Sequence, residues 1–326
     1  MKTTSTKVLG VMTSGGDAPG MNAALRAVTR AALGNGFHLL GFNRGYEGIL
    51  REQFQQLDSR SVSNIIQRGG TILKTARSAE FMTTAGVKKA AANLQKLGVH
   101  ALVLIGGDGT FRGALDLEKF WDGQIIGVPG TIDNDLAGTD YTIGFDTAVN
   151  TAVEAIDKIR DTAASHERFF LVEVMGRHCG QIALEVGIAG GAEEILIPEN
   201  PVDIRGVCER LCAGRSIGKT SSIIVVAEGV DGGAVGVAEK LRKLSQNEYR
   251  VVILGYIQRG GHPSAKDRCL ATRLGFYAVQ AILNGESGKM AGEAGGELVL
   301  VPFNIAVKGK RRVDPLYEKM MKFLNL

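Results

Sequence analysis

The sequence predicts an α/β protein with mostly parallel sheets, long enough to divide into two domains. Short apolar runs alternate with longer stretches whose apolar residues recur every three or four positions, which is the pattern of buried strands joined by crossover helices. A length of 326 residues leaves room for two domains of ordinary size, and 44% hydrophobic against 22% charged residues is the balance of a packed chain. Glycine is in excess, 44 residues against 7 prolines, which points to tight turns and close backbone approaches rather than disorder.

The elements follow in order. Strands are predicted at Val8–Met12, His38–Phe42, His100–Ile105, Gln124–Val128, Phe169–Val174, Glu194–Ile197, Ser222–Ala227, Val251–Leu254 and Leu298–Val301, each a short apolar run. Helical periodicity fills most intervals: Asn22–Leu33, Val87–Leu97, Phe111–Phe120, Thr147–Thr162 and Val202–Leu211. In Thr147–Thr162 the stripe is Val149, Val153, Ile156 and Ile159. No low-complexity linker marks a boundary, so the domain division near Gly144 rests on the strand count.

Several function classes are disfavoured. The net charge of +4 is mild and Lys and Arg are scattered, so no nucleic-acid footprint is expected. Cys179, Cys208, Cys212 and Cys269 show no CxxC spacing and no histidine cluster accompanies them, so buried free thiols are expected rather than zinc ligands or a disulfide framework. Residues 1–7 lack an apolar signal core and no apolar stretch is long enough for a membrane span, so a cytoplasmic protein without membrane contact is expected.

Chemistry gathers where strands end. After Gln124–Val128 comes Pro129-Gly-Thr-Ile-Asp-Asn-Asp135, which sets Thr131, Asp133 and Asp135 at a carboxyl edge, where open α/β sheets bind ligands. A carboxylate there can take a proton from a substrate hydroxyl. The strand His100–Ile105 runs into Gly106-Gly-Asp-Gly-Thr110, whose small residues admit phosphate oxygens to backbone N–H groups. Asp108, its one acid, suits Mg²⁺ held jointly with substrate phosphates, or alternatively an N-cap for the following helix. The first strand ends in Thr13-Ser-Gly-Gly-Asp-Ala-Pro-Gly20, either a second phosphate loop or an ordinary strand-to-helix turn. If the two carboxyl edges face one cleft, phosphate and base meet there.

Met175-Gly-Arg177 and Gln258-Arg-Gly-Gly261 each put an arginine beside glycine near a strand end, suited to bidentate phosphate binding or to a surface ion pair. Ala213-Gly-Arg-Ser-Ile-Gly-Lys-Thr220 imitates a P-loop, but with a helix before it and a strand after it, the reverse of what the P-loop mechanism needs. No GxGxxG follows the first strand, which removes the main support for bound NAD.

Taken together, TSGGDAPG, the Arg77 segment, IGGDGT, PGTIDND, SHER, VEVMGR, AEG and IQRGG resemble the bacterial ATP-dependent 6-phosphofructokinases in order and spacing over almost the whole chain. The resemblance implies two Rossmann-like three-layer domains, a nucleotide-binding one over 1–143 plus 257–308 and a sugar-phosphate one over 144–256 plus 309–326. It implies transfer of the γ-phosphoryl group of ATP to the 1-hydroxyl of fructose 6-phosphate, with Mg²⁺, in a homotetramer. By the same resemblance Asp133 is the base, Thr131 and Asp135 line the reacting centre, Arg77 stabilises charge on the transferring group, and Arg177 is counted with them as catalytic. Gly16, Tyr46, Arg77, Gly107, Asp108, Gly109 and Thr110 match the nucleotide site, with Asp108 the metal-linked acid. Met175, Gly176, Arg177, Glu228, Tyr256 and Arg259 match the sugar-phosphate site, and Arg168 and Arg250 match arginines lent across a subunit interface. Tyr256 departs from the family pattern, which commonly has histidine there; a phenol donates a hydrogen bond but cannot become cationic.

The family's effector site is matched at Arg26, Arg30, Arg160, Glu193 and Lys219, but Ser59, Asn64, Ile217 and Thr220 stand where charge is usual, which implies weak or altered allosteric control. The nearest rival is a pyrophosphate-dependent enzyme of the same family, which typically carries Asp at the position of Gly109 and Lys at that of Gly130. An NAD or lipid kinase shares GGDGT but lacks PGTIDND and the arginine set. A binding module without catalysis is expected to have lost Asp133 or Asp108.

Overall fold

The computed structural model describes residues 7–245, 247–308, 313, 314, 316, 317, 319 and 320, so most of the segment 309–326 assigned to the second domain lies outside the described residues. The chain runs β1 (Val8–Thr13), α1 (Met21–Gly34), β2 (His38–Phe42), α2 (Tyr46–Leu50), β3 (Phe54–Gln56), α3 (Thr84–Lys96), β4 (Val99–Gly106), α4 (Asp108–Leu117), β5 (Gln124–Thr131) and β6 (Ile143–Gly144). It continues through α5 (Phe145–His166), β7 (Phe169–Val174), α6 (Gln181–Ala189), β8 (Glu194–Leu196), α7 (Ile204–Ser216), β9 (Ser222–Ala227), α8 (Gly233–Leu244) and β10 (Tyr249–Ile253). A 3-10 turn over Gly255–Arg259 precedes α9 (Ala265–Leu283), β11 (Lys289–Ala294), β12 (Glu297–Pro302) and α10 (Phe303–Ala306).

Two compact units result. The first comprises the described residues up to Ile132, Leu136–Asp146 and those from Arg259 to Lys308; the second comprises Asp133–Asp135, Thr147–Gln258 and the described residues from Val313 onward.

The first unit holds a sheet in the order β12-β11-β5-β4-β1-β2-β3, with β6 paired to β5. Its centre is parallel, and only β2–β3 and β11–β12 pair antiparallel. Strands β1, β4 and β5 are almost fully buried apolar runs, as a parallel sheet covered on both faces requires. From β1 the chain turns to β2 on one side and later to β4 on the other. That reversal is a topological switch point, where the carboxyl ends of neighbouring strands leave a crevice for ligand. Helices α1 and α9 pack closely, since a Cβ on Gly275 would stand 2.8 Å from the Ala24 carbonyl oxygen.

The second unit has a four-stranded parallel sheet in the order β10-β7-β9-β8. Its helix α7 is capped by Asp203, whose carboxylate accepts the Gly206 N–H at 3.1 Å. Helix α7 leads into the P-loop look-alike, taking in its first four residues to Ser216, and β9 follows it, the reversed order read from the sequence.

All nine predicted strands form. Strand β10 starts two residues early because Tyr249 is buried and stacks on Phe169 with ring centroids 5.7 Å apart. Strands β3, β6 and β11 were not predicted. Residues of β11, Lys-Met-Ala-Gly-Glu-Ala, have little β propensity and are held by pairing with β12 and β5.

Candidate active site

In the first unit the candidate residues gather at the switch point. Strand β4 is in register with β5 as far as Gly106 opposite Pro129, so the loops after them leave the sheet side by side. A Cβ on Gly107 would lie 3.2 Å from Thr131 Cβ, so a larger residue there would have to push Thr131 aside by a few tenths of an ångström. The Ser14 N–H donates to the Ile105 carbonyl at 3.0 Å, which brings the loop after β1 against the loop after β4. The side-chain oxygen of Thr110 stands 3.5 Å from where a Gly15 Cβ would be. Thus the two glycine-rich loops meet at one place.

The helix beneath them offers an open N-terminus. The N-cap of α4 is Gly107, with no side-chain cap, so the sequence alternative of Asp108 as the cap is corrected. Asp108 is the first helical residue, and its carboxylate accepts from Arg112 Nε at 2.8 Å, one turn on. Uncapped first-turn N–H groups favour an anion. The Thr110 hydroxyl is buried with no hydrogen-bond partner among the described residues, a polar group suited to a phosphate oxygen. Gly109 is exposed, and a Cβ there would meet nothing within 4 Å.

Tyr46 is placed differently from a ligand-facing phenol. Its ring is buried and stacks on Phe81 at 3.8 Å, and its hydroxyl donates to the Thr110 carbonyl at 2.7 Å. Burial, with the Asp116 and Glu118 charges adding to it, pushes the phenol well above its ordinary range. Tyr46 therefore supports α4 from below. Arg77 is exposed and has no ion-pair partner among the described residues. Arg259 crosses the first glycine-rich loop: its Nη1 lies 1.9 Å from where a Gly16 Cβ would be, so only glycine leaves the arginine its place.

Among the described residues no three His, Cys, Asp or Glu side chains gather to hold a metal by themselves. Mg²⁺ needs only one or two carboxylates when phosphates and water supply the rest, and Asp108 fits that need. Its pair with Arg112 is partly exposed, at 31% and 58% of the side chains, so it is weak enough to yield to a metal.

The second unit gathers its groups at the carboxyl end of its own sheet. The Glu228 N–H donates to the Val174 carbonyl at 2.9 Å, which sets the loop after β9 beside the loop after β7. One carboxylate oxygen of Glu228 accepts the N–H groups of both Gly176, at 3.2 Å, and Arg177, at 2.7 Å. Gln258, completely buried, accepts the Met175 N–H at 2.9 Å. Arg177 Nε then stands 3.3 Å from Asp133 Oδ2, and the Asp133 side chain is only 3% exposed. Burial pushes the nearby Cys179 thiol up to about 12, with the charges of Glu199, Asp135 and Asp133 contributing, so it is protonated and inert near neutrality. Arg168 and Arg250 both pair with Glu248, Arg168 at 3.3 Å. Tyr256 is 82% exposed on the 3-10 turn. Among the residues that resemble the family's effector site, Arg160 and Lys219 both pair with Glu193, and Ile217 is exposed.

The family model described as Phosphofructokinase matches residues 8–282. The chain belongs to the phosphofructokinase family. Among relatives within it, the chain is 58% identical to "ATP-dependent 6-phosphofructokinase 1" of Thermus thermophilus, over 98% of this chain and 100% of the relative. The solved phosphofructokinase of Saccharomyces cerevisiae superimposes with a TM-score of 0.85 at 37% identity, over 98% of this chain and 47% of that one, so the chain spans about half the length of the yeast polypeptide. A pyrophosphate-dependent phosphofructokinase of Marinobacter aquaeolei has the same fold, with a TM-score of 0.83 over 95% of this chain and 86% of that one, at 23% identity.

Sequence reasoning passed over Arg112, Thr142 and, as a positioning group, Gln258. Arg112 had a signal in its i, i+4 spacing from Asp108. Thr142, whose hydroxyl donates to the Thr131 carbonyl at 2.6 Å across 11 positions, and Gln258, which reaches Met175 across 83, make contacts that no local pattern announces.

Proposed function

We propose that the chain is an ATP-dependent 6-phosphofructokinase, which transfers the γ-phosphoryl group of ATP to the 1-hydroxyl of fructose 6-phosphate. Asp133 carries the reading: a buried carboxylate beside a guanidinium, two residues beyond a strand end that adjoins a phosphate-type loop. In this mechanism the sugar hydroxyl gives its proton to Asp133 as its oxygen bonds to the γ-phosphorus, and the bond to the β-phosphate oxygen breaks to release ADP. Such a reaction asks the protein for position and charge rather than covalent work. The loops Thr13–Gly20 and Gly106–Thr110 with the α4 N-terminus bind the nucleotide phosphates. Arg177 and Arg77 offset charge on the group in transfer, and Thr131 and Asp135 line the reacting centre. Asp108 would hold Mg²⁺, which when bound neutralises charge on the phosphate oxygens.

Met175, Gly176, Glu228 and Arg259 belong to the sugar-phosphate site in this reading, with Arg168 and Arg250 acting in a neighbouring subunit of a homotetramer. The two glycines at 109 and 130 support ATP over pyrophosphate. The space at Gly109 is open, whereas a Cβ at Gly130 would press on Ile105 and Met21 at 3.1 Å, leaving little room for lysine. No described helix is long and apolar enough to cross a membrane, and a cytoplasmic enzyme is inferred. A coupled assay with fructose 6-phosphate as acceptor tests the reading. Turnover is expected with ATP and not with pyrophosphate, and turnover with pyrophosphate alone would overturn it.

A further inference from the structure

At the carboxyl end of the four-stranded sheet, two side chains consume three consecutive backbone N–H groups. Met175 donates to Gln258, and Gly176 and Arg177 donate to Glu228. The turn so held is strained. Gly176 has φ 140°, and a Cβ there would lie 2.4 Å from the Cys179 carbonyl oxygen. Arg177, a residue with a full side chain, sits at φ 54° in the left-handed region, which persists only where the surroundings over-determine it. That conformation belongs to the residue whose Nε lies 3.3 Å from Asp133.

Packing alone does not explain Gln258. It is fully buried, and because an N–H needs an acceptor, its amide oxygen must face Met175. The amide nitrogen is then buried without a partner among the described residues. Leaving a buried donor unsatisfied is destabilising, and an apolar side chain of similar volume would avoid it. The acceptor is what distinguishes glutamine from such a residue.

We propose that Gln258 is a positioning residue for phosphoryl transfer. With Glu228 it clamps Met175–Arg177 in the left-handed turn that keeps the Arg177 guanidinium on Asp133. The inference rests on the reading of Asp133 as base and Arg177 as its charged neighbour.

The test is a double-mutant cycle on the intact enzyme, assayed at a temperature where circular dichroism shows every variant folded. Gln258→Met removes the acceptor at similar volume and should lower kcat by roughly 10- to 100-fold, the scale of a small misplacement of a reacting group, while the KM for ATP holds. Gln258→Glu, which keeps an oxygen for the Met175 N–H, should recover most of that loss. In an Arg177→Ala background, Gln258→Met should add no more than about twofold, because its effect passes through Arg177. Should Gln258→Met fail to fold, Gln258→Asn, which withdraws the acceptor by one methylene, should give the same pattern. Unchanged kcat, or an equal loss in both backgrounds, would overturn the clamp. Wild-type kcat in Arg177→Ala alone would instead overturn the catalytic reading beneath it.

Discussion

Asp133 is buried, bears on Arg177 and lies two residues beyond the strand that ends at Thr131. Asp133→Asn keeps the shape and removes the proposed base. The variant should fold and bind ligands while its turnover falls by about 10²–10⁴-fold, and near-normal turnover in the purified protein would take Asp133 out of the mechanism. Gly109 makes a contrasting test, since added atoms there meet open space. Gly109→Asp should leave the melting temperature in place and raise the KM for ATP, because the new carboxylate repels a nucleotide phosphate at short range. Unaltered ATP kinetics would show that residue 109 does not face the nucleotide.

Cys179 gives a pH prediction at the same scale. Its folded thiol stays protonated to about 12, against an ordinary value of 9.0 that the unfolded chain regains. The raised value means that the unfolded state loses its proton first. The stability contribution is therefore intact below pH 9.0 and is lost as the pH climbs to about 12. Relative to Cys179→Ala, the wild-type chain should lose stability across that window in urea titrations. A difference independent of pH would contradict the buried thiol.

Among the elements, the sites lie on strand-end loops whose geometry is held by glycines and by partners distant in sequence. The turn after β7 shows why. Gly176→Ala would place a Cβ against a backbone oxygen that cannot swing away, in a φ region that costs a side-chain residue roughly 1–3 kcal/mol. Denaturant unfolding should show at least that loss, with kcat falling further than the stability change explains. Wild-type activity in this variant would mean that the turn tolerates an ordinary conformation. The central strands and most helices were legible because burial on both faces writes unbroken apolar runs and amphipathic stripes. Strand β3, whose residues Phe54–Gln56 are exposed, has no such run and forms by pairing with β2.

On the scale of the whole molecule, the reading includes assembly. Arg168 and Arg250 share Glu248 within the chain, which leaves two cations on one carboxylate. If they serve a neighbouring subunit's sugar phosphate, dilution to protomers should abolish activity, and Arg168→Ala should raise the KM for fructose 6-phosphate. Each lost contact is a charge-assisted hydrogen bond. A fully active protomer in sedimentation-checked dilutions would refute the shared site.

By itself the sequence determined the α/β class, the nine main strands, the glycine-rich loops and the PGTIDND acids, because each is written locally as an apolar period or a motif at a strand end. It also carried the family, since the motifs keep their order along the chain. The tertiary structure alone decided that Tyr46 supports Thr110 from the core, that Arg259 lies over Gly16, and that Gln258 and Glu228 hold the turn bearing Arg177. These partners are separated by 51 to 83 positions in the hydrogen-bonded cases, and by far more between Gly16 and Arg259. Local periodicity reports which face a residue buries, whereas such contacts exist only once sheet order has brought distant strand ends together.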